Sequence, residues 1–309
     1  MPIPEHLQVL TTIRDFVRWG SSEFIRRELE FGHGFASAHD EARYLTLYAL
    51  ALPYAAPEAG FDDAVLTEPE RERVIDLLQQ RIDSRRPAAY ITGEAWFCGH
   101  KFYVDERVLV PRSPMAELIQ RQFEPWIDSS RVGAILDLCT GSGCIAISAQ
   151  YEFCDARVSA ADVSRDALEV ASINLEAHDL GEHIGLHESD LFDAIPAQVF
   201  DVIISNPPYV DAEDMAALGE EFRHEPKIGL EAGEDGLLLV DRILARARDY
   251  LSDHGLVFIE VGNSRAAMEA KYDFLPLTWI DFEHGGHGVC CIQAKDLQQQ
   301  QAALTRIAS

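Results

Sequence analysis

Apolar residues recur at two different spacings along the chain, and the spacing changes near residue 86. Before that point they repeat at helical intervals, as at Leu10, Ile13 and Val17, which predicts a small helical bundle over residues 1–85. Thr67, followed three residues later by Glu70, predicts a capping box that opens one of these helices. We expect residues 1–85 to form a helical domain that serves as packing scaffold or in substrate recognition.

Residues 86–112 follow a different pattern. Aromatic and β-branched residues are frequent there and are interrupted by Gly93 and Gly99, which predicts a β-hairpin that joins two domains. A short helix over residues 114–123 should come next.

Residues 113–296 alternate apolar runs with helical segments, which predicts a doubly wound α/β domain. Seven strands are expected, at residues 134–138, 157–161, 184–188, 201–205, 255–261, 278–283 and 289–294. The unbroken apolar runs at 202–204 and 257–259 are typical of parallel strands covered by helices on both faces. We therefore predict a mostly parallel, seven-stranded, Rossmann-like sheet. Its last two strands should form an antiparallel edge hairpin, and residues 297–309 a frayed or solvated tail.

The acidic balance of the chain bears on its partners. The 309 residues contain 52 acidic and 26 basic side chains, for a formal net charge of −26. Such a surface repels nucleic acid phosphates and attracts a basic partner, so DNA is not expected to bind. A proteome that is acidic throughout would give the same balance, and both interpretations stay open.

Compartment is predicted from what the chain lacks. The most apolar stretch, residues 44–56, contains Pro53 and is too short to span a membrane, so no membrane partner is expected. The first six residues lack the basic and apolar regions of a signal peptide. The six cysteines form no C-x-x-C pair, as expected for a reduced, cytoplasmic protein.

A glycine-rich turn follows the first predicted strand of the α/β domain. It comprises Asp137-Leu138-Cys139-Thr140-Gly141-Ser142-Gly143. Gly141 and Gly143 allow a tight turn and close approach of a ligand, and the following helix directs free N–H groups toward a carboxylate or phosphate. The spacing is not G-x-G-x-x-G, which disfavours a dinucleotide.

Acidic residues end the next two predicted strands. Asp162 lies 19 residues beyond Gly143, where doubly wound folds place the carboxylate that accepts the ribose hydroxyls. Asp190 and Leu191 follow the third strand and are placed to face an adenine. An adenosyl ligand without pyrophosphate fits this crevice: S-adenosylmethionine, with its carboxylate at the helix N-terminus and its ammonium group near Asp137.

The fourth predicted strand ends in Asn206-Pro207-Pro208-Tyr209. The two prolines stop the strand and fix the loop, which leaves the Asn206 side chain and the Pro207 carbonyl as acceptors. Two acceptors that hold both N–H bonds of an amide or aromatic amine can direct its lone pair toward a methyl donor. Tyr209 offers a flat face to the substrate. The chemistry then needs mainly positioning, and the pattern predicts an N-methyltransferase.

A possible metal site at Glu283, His284, His287 and Cys290 has a spacing compatible with ligation. A glycine-rich hairpin with exposed histidines is the alternative interpretation. We predict no metal.

Residues 86–294 resemble the protein-glutamine methyltransferases of the HemK family. The shared segments are Arg86-Pro87, Tyr90-Ile91-Thr92-Gly93, Val108-Leu109-Val110-Pro111-Arg112, the glycine-rich turn, Asn206-Pro207-Pro208-Tyr209, Glu225-Pro226 and Gly233-Glu234-Asp235-Gly236-Leu237. The resemblance implies a helical N-terminal domain, S-adenosylmethionine as cofactor and a glutamine side chain as substrate.

Two segments resemble one branch of that family. Pro111-Arg112-Ser113-Pro114 and Phe222-Arg223-His224-Glu225-Pro226 are similar to the branch that methylates a glutamine of the third protein of the large ribosomal subunit. A basic ribosomal protein, free or in an assembly intermediate, is then the implied partner. The alternatives are a release-factor glutamine methyltransferase, an adenine-amine DNA methyltransferase, which the charge disfavours, and a non-catalytic ribosome-assembly factor.

Overall fold

The computed structural model describes residues 3–54 and 60–308, and the chain divides into two compact units. Unit 1 comprises Met1–Ala95 together with Gly219–His224, and unit 2 comprises Trp96–Leu218 and Glu225–Ser309. A short segment from the second half of the chain thus belongs to unit 1.

Among the described residues up to 85, unit 1 contains helices and no named strand, in agreement with the predicted helical domain. Its α-helices are α1 (Ile13–Arg26), α2 (Ala38–Ala49), α3 (Glu68–Ser84) and α4 (Ala88–Thr92). The capping box of Thr67 and Glu70 is present at the start of α3, and Leu10, Ile13 and Val17 are buried. Of the apolar stretch 44–56, residues 44–49 lie in α2, and residues 55 and 56 fall outside the described part of the chain.

A buried arginine ties the later segment to the rest of unit 1. The Arg81 side chain is fully buried and donates to Glu41 at 2.7 Å, to Glu221 at 3.4 Å and to the Glu30 carbonyl at 3.1 Å. Desolvation raises the pKa of Glu41. A buried charge of this kind needs its partners, because an unpaired one is strongly destabilising.

Unit 2 is built on the seven-stranded sheet that the sequence predicts. The strands of the chain are β1 (Glu94–Phe97), β2 (His100–Tyr103), β3 (Ala134–Leu138), β4 (Arg157–Asp162), β5 (Ile184–Glu188), β6 (Phe200–Ser205), β7 (Leu251–Glu260), β8 (Thr278–Trp279) and β9 (Val289–Gln293). The order in the large sheet is β5-β4-β3-β6-β7-β9-β8. Strands β3 to β7 are parallel, and β9 pairs antiparallel with both β7 and β8.

Helices cover both faces of this sheet. The remaining α-helices are α5 (Met115–Gln120), α6 (Cys144–Glu152), α7 (Arg165–Ala177), α8 (Ala212–Ala217), α9 (Leu238–Tyr250), α10 (Arg265–Lys271) and α11 (Ala294–Ile307). Phe258 packs into the core beneath α5 and α6, whereas its neighbours Val257 and Ile259 pack into the core beneath α9 and α11. This alternation confirms the doubly wound architecture.

The joining hairpin is shorter than the predicted range of residues 86–112. Its strands are β1 and β2 only, because residues 88–92 form α4, which Gly93 ends at a φ of 69°. After β2 the chain turns at Asp105, whose carbonyl accepts the Val108 N–H at 3.1 Å. Val108 and Val110 are buried without belonging to a strand.

Two further elements are also shorter than predicted. Helix α5 ends at Gln120 because Gln122 and Phe123 adopt positive φ values of 52° and 59°. Strand β8 stops at Trp279. The Glu283 N–H, which the prediction places in that strand, instead donates to the Glu117 carboxylate at 2.9 Å.

The prediction of a frayed or solvated tail at 297–309 is wrong. Residues Ala294–Ile307 form α11, in which Leu297 and Leu304 are buried, and the Gln301 side chain donates to the Ala245 carbonyl at 2.6 Å. The run of glutamines hid the two leucines, whose seven-residue separation places them on one helix face.

Among the helices in the described ranges, none is long and apolar enough to cross a bilayer.

Candidate active site

Four parallel strands bring the predicted site residues to one edge of the sheet in unit 2. Leu138 pairs with Ala161 on one side and with Ser205 on the other. On the next strand, Glu188 pairs with Asp162. The glycine-rich turn, Asp162, the Asp190 loop and the Asn206 loop therefore all leave the sheet at its carboxyl edge, where doubly wound folds bind ligands.

The glycine-rich turn has the backbone that its residues predict. Cys139, Gly141 and Gly143 adopt φ values of 60°, 55° and 80°. A Cβ atom on Gly143 would lie 3.3 Å from the Ala171 Cβ in α7, so helix packing also favours glycine there. Thr140 and Ser142 are both buried, and the Ser142 carbonyl accepts from Asn174 at 2.9 Å.

Asp137 is a fully buried carboxylate with one satisfied oxygen. Its Oδ2 accepts the Thr140 hydroxyl at 2.5 Å. No residue that the structure describes hydrogen-bonds to its Oδ1. Burial raises its pKa to about 7, because the charged form loses its hydration. A cationic group of a ligand would satisfy the free oxygen, so this residue fits the ammonium group of S-adenosylmethionine.

Asp162 ends β4 and is tied to the glycine-rich turn. One carboxylate oxygen accepts the Gly141 N–H and the other accepts the Ser164 N–H, each at 2.9 Å. Desolvation raises its pKa. Each oxygen keeps a second lone pair, so the carboxylate fits two ribose hydroxyls while it holds the turn in place.

Asp190 differs from the other two carboxylates because it is exposed. Its Oδ2 accepts from Arg242 of α9 at 2.8 Å, and its side chain is 49% exposed. Leu191 beside it is buried and adopts a φ of 53°. Both residues follow β5, so the structure brings them to the same edge of the sheet, with Leu191 buried and Asp190 exposed.

The segment Asn206-Pro207-Pro208-Tyr209 begins directly after β6. Both prolines are buried, and Asn206 and Tyr209 are half-buried. The Asn206 side chain makes no hydrogen bond to the described part of the chain, so its amide group is available. The Tyr209 hydroxyl donates to Glu260 at 3.1 Å, and its carbonyl accepts from Ser264 at 2.9 Å.

Sequence reasoning missed Glu260, and it named Arg112, Ser113 and Glu225 only as parts of a family resemblance. Glu260, the last residue of β7, is buried and also accepts from Ser113 at 2.5 Å. An available signal was its position, because it ends a buried apolar run as Asp162 does. Arg112 forms a bidentate pair with buried Glu225, at 2.5 and 2.8 Å. The two segments that carry the resemblance to one family branch therefore meet at this pair.

The possible ligands at residues 283–290 have other contacts. Glu283 pairs with Arg121 at 2.8 Å, the His287 ring lies 3.3 Å from Asn263, and Cys290 is buried in β9. Within residues 3–54 and 60–308, no group of three or more such side chains could hold a metal ion.

Residues 120–240 match the model of the methyltransferase small domain family. Together with the sheet order and the glycine-rich turn, this match defines the class: the chain is an S-adenosylmethionine-dependent methyltransferase. A crystal structure of a methyltransferase from Pyrococcus furiosus has a TM-score of 0.46 at 19% identity, over 62% of this chain and 88% of that chain.

Two relatives align with nearly the whole chain. The ribosomal protein uL3 glutamine methyltransferase of Francisella tularensis subsp. tularensis is 43% identical over 298 residues, covering 96% of this chain and 95% of that protein. The protein of the same name from Bordetella pertussis is 47% identical over 275 residues, covering 89% and 92%. The chain belongs to the family of ribosomal protein uL3 glutamine methyltransferases.

Proposed function

We propose that this chain transfers a methyl group from S-adenosylmethionine to the side-chain amide nitrogen of a glutamine in ribosomal protein uL3. The observation that carries the proposal is the position of Asn206-Pro207-Pro208-Tyr209, at the end of β6 and next in the sheet to the glycine-rich turn after β3. The names of both relatives support the substrate.

The cofactor side of the site consists of the glycine-rich turn and two carboxylates. Bound S-adenosylmethionine supplies an electrophilic methyl group on its sulfonium. Asp137 would pair with the ammonium group, and Asp162 would accept from the ribose hydroxyls. The N-terminus of α6, preceded by Thr140, Gly141, Ser142 and Gly143, would face the carboxylate of the methionine part. Asp190 and Leu191 would border the adenine.

The substrate side consists of the four residues after β6. Asn206, through its side-chain oxygen, and Pro207, through its carbonyl, would accept the two N–H bonds of the glutamine amide. That arrangement fixes the nitrogen and directs its lone pair toward the methyl group. Pro208 holds the loop, and Tyr209 lines the site with its ring. No general base is required, because the methylated nitrogen is acidic before it releases its proton.

The partner would be a basic ribosomal protein, either free or in an assembly intermediate, and the site of action the cytoplasm. The relatives' names disfavour the release-factor alternative. The net charge of −26 opposes binding of DNA as an adenine-amine methyltransferase would require.

The direct test is methylation of purified substrates. Purified uL3 and purified release factors are each incubated with the chain and labelled S-adenosylmethionine, and the modified residue is identified by tandem mass spectrometry. We expect one methylated glutamine amide in uL3 and none in the release factors. Methylation of the release factors in preference to uL3 would contradict the proposal.

Asn206→Ala separates chemistry from binding. The variant should bind the cofactor nearly as the wild type does but transfer the methyl group at least about a hundredfold more slowly, because a preorganised contact to the reacting group is lost. Asn206→Asp, which keeps an acceptor, should retain partial activity. Single-turnover methylation and calorimetry measure the two effects. Near-normal turnover in Asn206→Ala would refute this role of Asn206.

A further inference from the structure

Tyr209 is held in one place at its ring, its hydroxyl and its backbone. A Cβ atom on Gly262 would lie 2.5 Å from the Tyr209 ring, and one on Gly236 would lie 2.5 Å from the Tyr209 carbonyl oxygen. That carbonyl also accepts the Ser264 hydroxyl at 2.9 Å. With the hydroxyl bound to Glu260, the ring has little freedom to rotate out of its plane.

Glu260 is the buried end of this arrangement. It follows Ile259, the partner of Ser205 across the sheet, so its carboxylate stands beside the strand end from which Asn206 departs. Oε1 accepts from Tyr209 at 3.1 Å and Oε2 from Ser113 at 2.5 Å. Glu260 therefore has a specific donor on each carboxylate oxygen.

Ser113 closes the chain of contacts. It is buried, and its hydroxyl oxygen accepts the Met115 N–H at 3.1 Å. The Met115 N–H uses one of the two lone pairs of that oxygen, and the single hydroxyl proton of Ser113 is donated to Glu260. The contacts connect the turn before α5 to the ring of Tyr209, and the hydroxyls of Ser113 and Tyr209 both donate to the Glu260 carboxylate.

We propose that Ser113 and Glu260 are positioning residues that hold the Tyr209 ring as a fixed wall of the substrate-amide site. This inference rests on the proposed function for the identity of the substrate. Neither residue contacts the reacting atoms. They hold the Tyr209 ring in the orientation that the bound amide requires. Little motion of the ring is therefore lost when the amide binds.

The first test is a double-mutant cycle in single-turnover methylation of uL3. Ser113→Ala should slow methyl transfer roughly tenfold or more, because small misplacements of a positioned group have large rate effects. Cofactor affinity should stay unchanged, and Ser113→Thr, which keeps the hydroxyl, should restore most of the rate. In a Tyr209→Phe background, which has no hydroxyl for Glu260 to hold, Ser113→Ala should cost little more.

Ser159→Ala is the matched control. Ser159 is another buried serine of unit 2, and it accepts a side-chain hydrogen bond from Gln198 at 3.1 Å. The Ser159→Ala substitution should leave the rate of methyl transfer unchanged both in the wild type and in the Tyr209→Phe background. Additive losses for Ser113→Ala and Tyr209→Phe, or a Ser113→Ala loss explained by lower thermal stability, would overturn the inference.

A second measurement needs no substrate. The protein is labelled with 3-fluorotyrosine, and the Tyr209 resonance is assigned by its loss in Tyr209→Phe. We expect one narrow fluorine resonance in the wild type, which broadens or shifts in Ser113→Ala and in Glu260→Gln but not in Ser159→Ala. An unchanged resonance in both variants would refute the positioning role, whatever the substrate. Failure to methylate uL3 with a responsive resonance would refute only the proposed function.

Discussion

Asp137 and Asp162 lie at the carboxyl ends of neighbouring strands, yet their surroundings differ. Asp162 accepts two backbone N–H groups, one on each oxygen. Asp137 is more deeply buried and leaves Oδ1 without a partner among the described residues. A buried carboxylate with an open lone pair is costly to the protein alone, and a cationic ligand would remove that cost.

Because the pKa of Asp137 is raised, the free energy of unfolding should depend on pH. Its folded-state pKa of about 7 lies above the usual value of about 4, so its contribution to stability is fully present below pH 4 and is lost as the pH rises toward 7. The loss is on the order of 4 kcal/mol for such a shift. We expect the ligand-free melting temperature to fall from pH 5 to pH 8, and Asp137→Asn to flatten that dependence.

Cofactor binding should show the opposite trend for the same group. An ammonium ion pairs with the ionised carboxylate, so affinity for S-adenosylmethionine should weaken by up to about tenfold for each pH unit below 7. Calorimetry between pH 5.5 and pH 8 measures it, with Asp137→Asn as the variant that should lack the trend. Equal pH dependence in both proteins would exclude Asp137 from the cofactor site.

Asp162→Ala should weaken cofactor binding by about 1.5–3 kcal/mol, because a charge-assisted acceptor is lost. The same substitution also removes the acceptor of the Gly141 N–H, which helps to hold the glycine-rich turn. Asp162→Asn retains an acceptor for that N–H and should therefore bind more tightly than Asp162→Ala. Unchanged affinity in Asp162→Ala would remove this residue from the site.

Among individual residues, the sequence predicted those that a short segment is enough to single out. An acidic residue after an apolar run, or two prolines after a strand, can be recognised without knowing its partners. Glu260 escaped because its function depends on Tyr209, 51 positions away, and on Ser113, 147 positions away. Such contacts follow from the sheet order, which periodicity alone does not supply.

Elements were predicted best where burial on both faces leaves one pattern possible. Strand β3, buried at all five positions between two parallel neighbours, begins and ends at the predicted residues. The edge strand β5 also does, although only Ile184 of it is buried, because turns bound it on both sides. The hairpin and β8 were overextended, because aromatic and β-branched residues there are buried by loops rather than by strand pairing. Composition misled at the C-terminus, where polar glutamines separate the apolar positions of α11.

Helix α11 should contribute substantially to the stability of unit 2. Leu297→Ala and Leu304→Ala each remove a buried side chain and should cost about 2–5 kcal/mol. Gln299→Ala, at an exposed position of the same helix, should be nearly neutral. Urea unfolding of the full chain, followed by tryptophan fluorescence and circular dichroism, measures the shifts. Equal midpoints for all three variants would mean that α11 is the solvated end predicted from the sequence.

For the molecule as a whole, the negative charge is unevenly distributed along the chain. Residues 166–218 contain twelve acidic side chains and no lysine or arginine, and nine of the twelve are exposed. This stretch includes Asn206-Pro207-Pro208-Tyr209. Acidic surface near a reactive site attracts a basic protein and accelerates its encounter, which an acidic proteome alone does not require.

Association with uL3 should therefore slow as salt rises from about 0.05 to 0.3 M, because screening is substantial over that range. Stopped-flow binding measures the rate constant. The informative variant neutralises three exposed carboxylates that follow β4, end β5 and follow β6: Asp166→Asn, Glu188→Gln and Glu213→Gln. It should associate more slowly at low salt and depend less on salt.

The matched control removes the same charge from exposed positions elsewhere in unit 2. Its substitutions are Asp249→Asn, Asp273→Asn and Asp281→Asn. This variant should keep most of the wild-type rate. Equal slowing of both triple variants would indicate net charge rather than a directed surface, and a salt-independent rate would favour the acidic-proteome interpretation.

Unit 1 contains residues from two distant parts of the chain, so it cannot be completed until the second part has been synthesised. Arg81 and its partner Glu221 are separated by 140 positions. At about 5–20 residues per second, translation needs on the order of 10 s to cover that distance. In a nascent chain the first helices are therefore complete while the buried arginine still lacks one of its carboxylates. The helices of unit 1 are translated first, but they gain the buried Glu221 only after strands β3 to β6 have been translated.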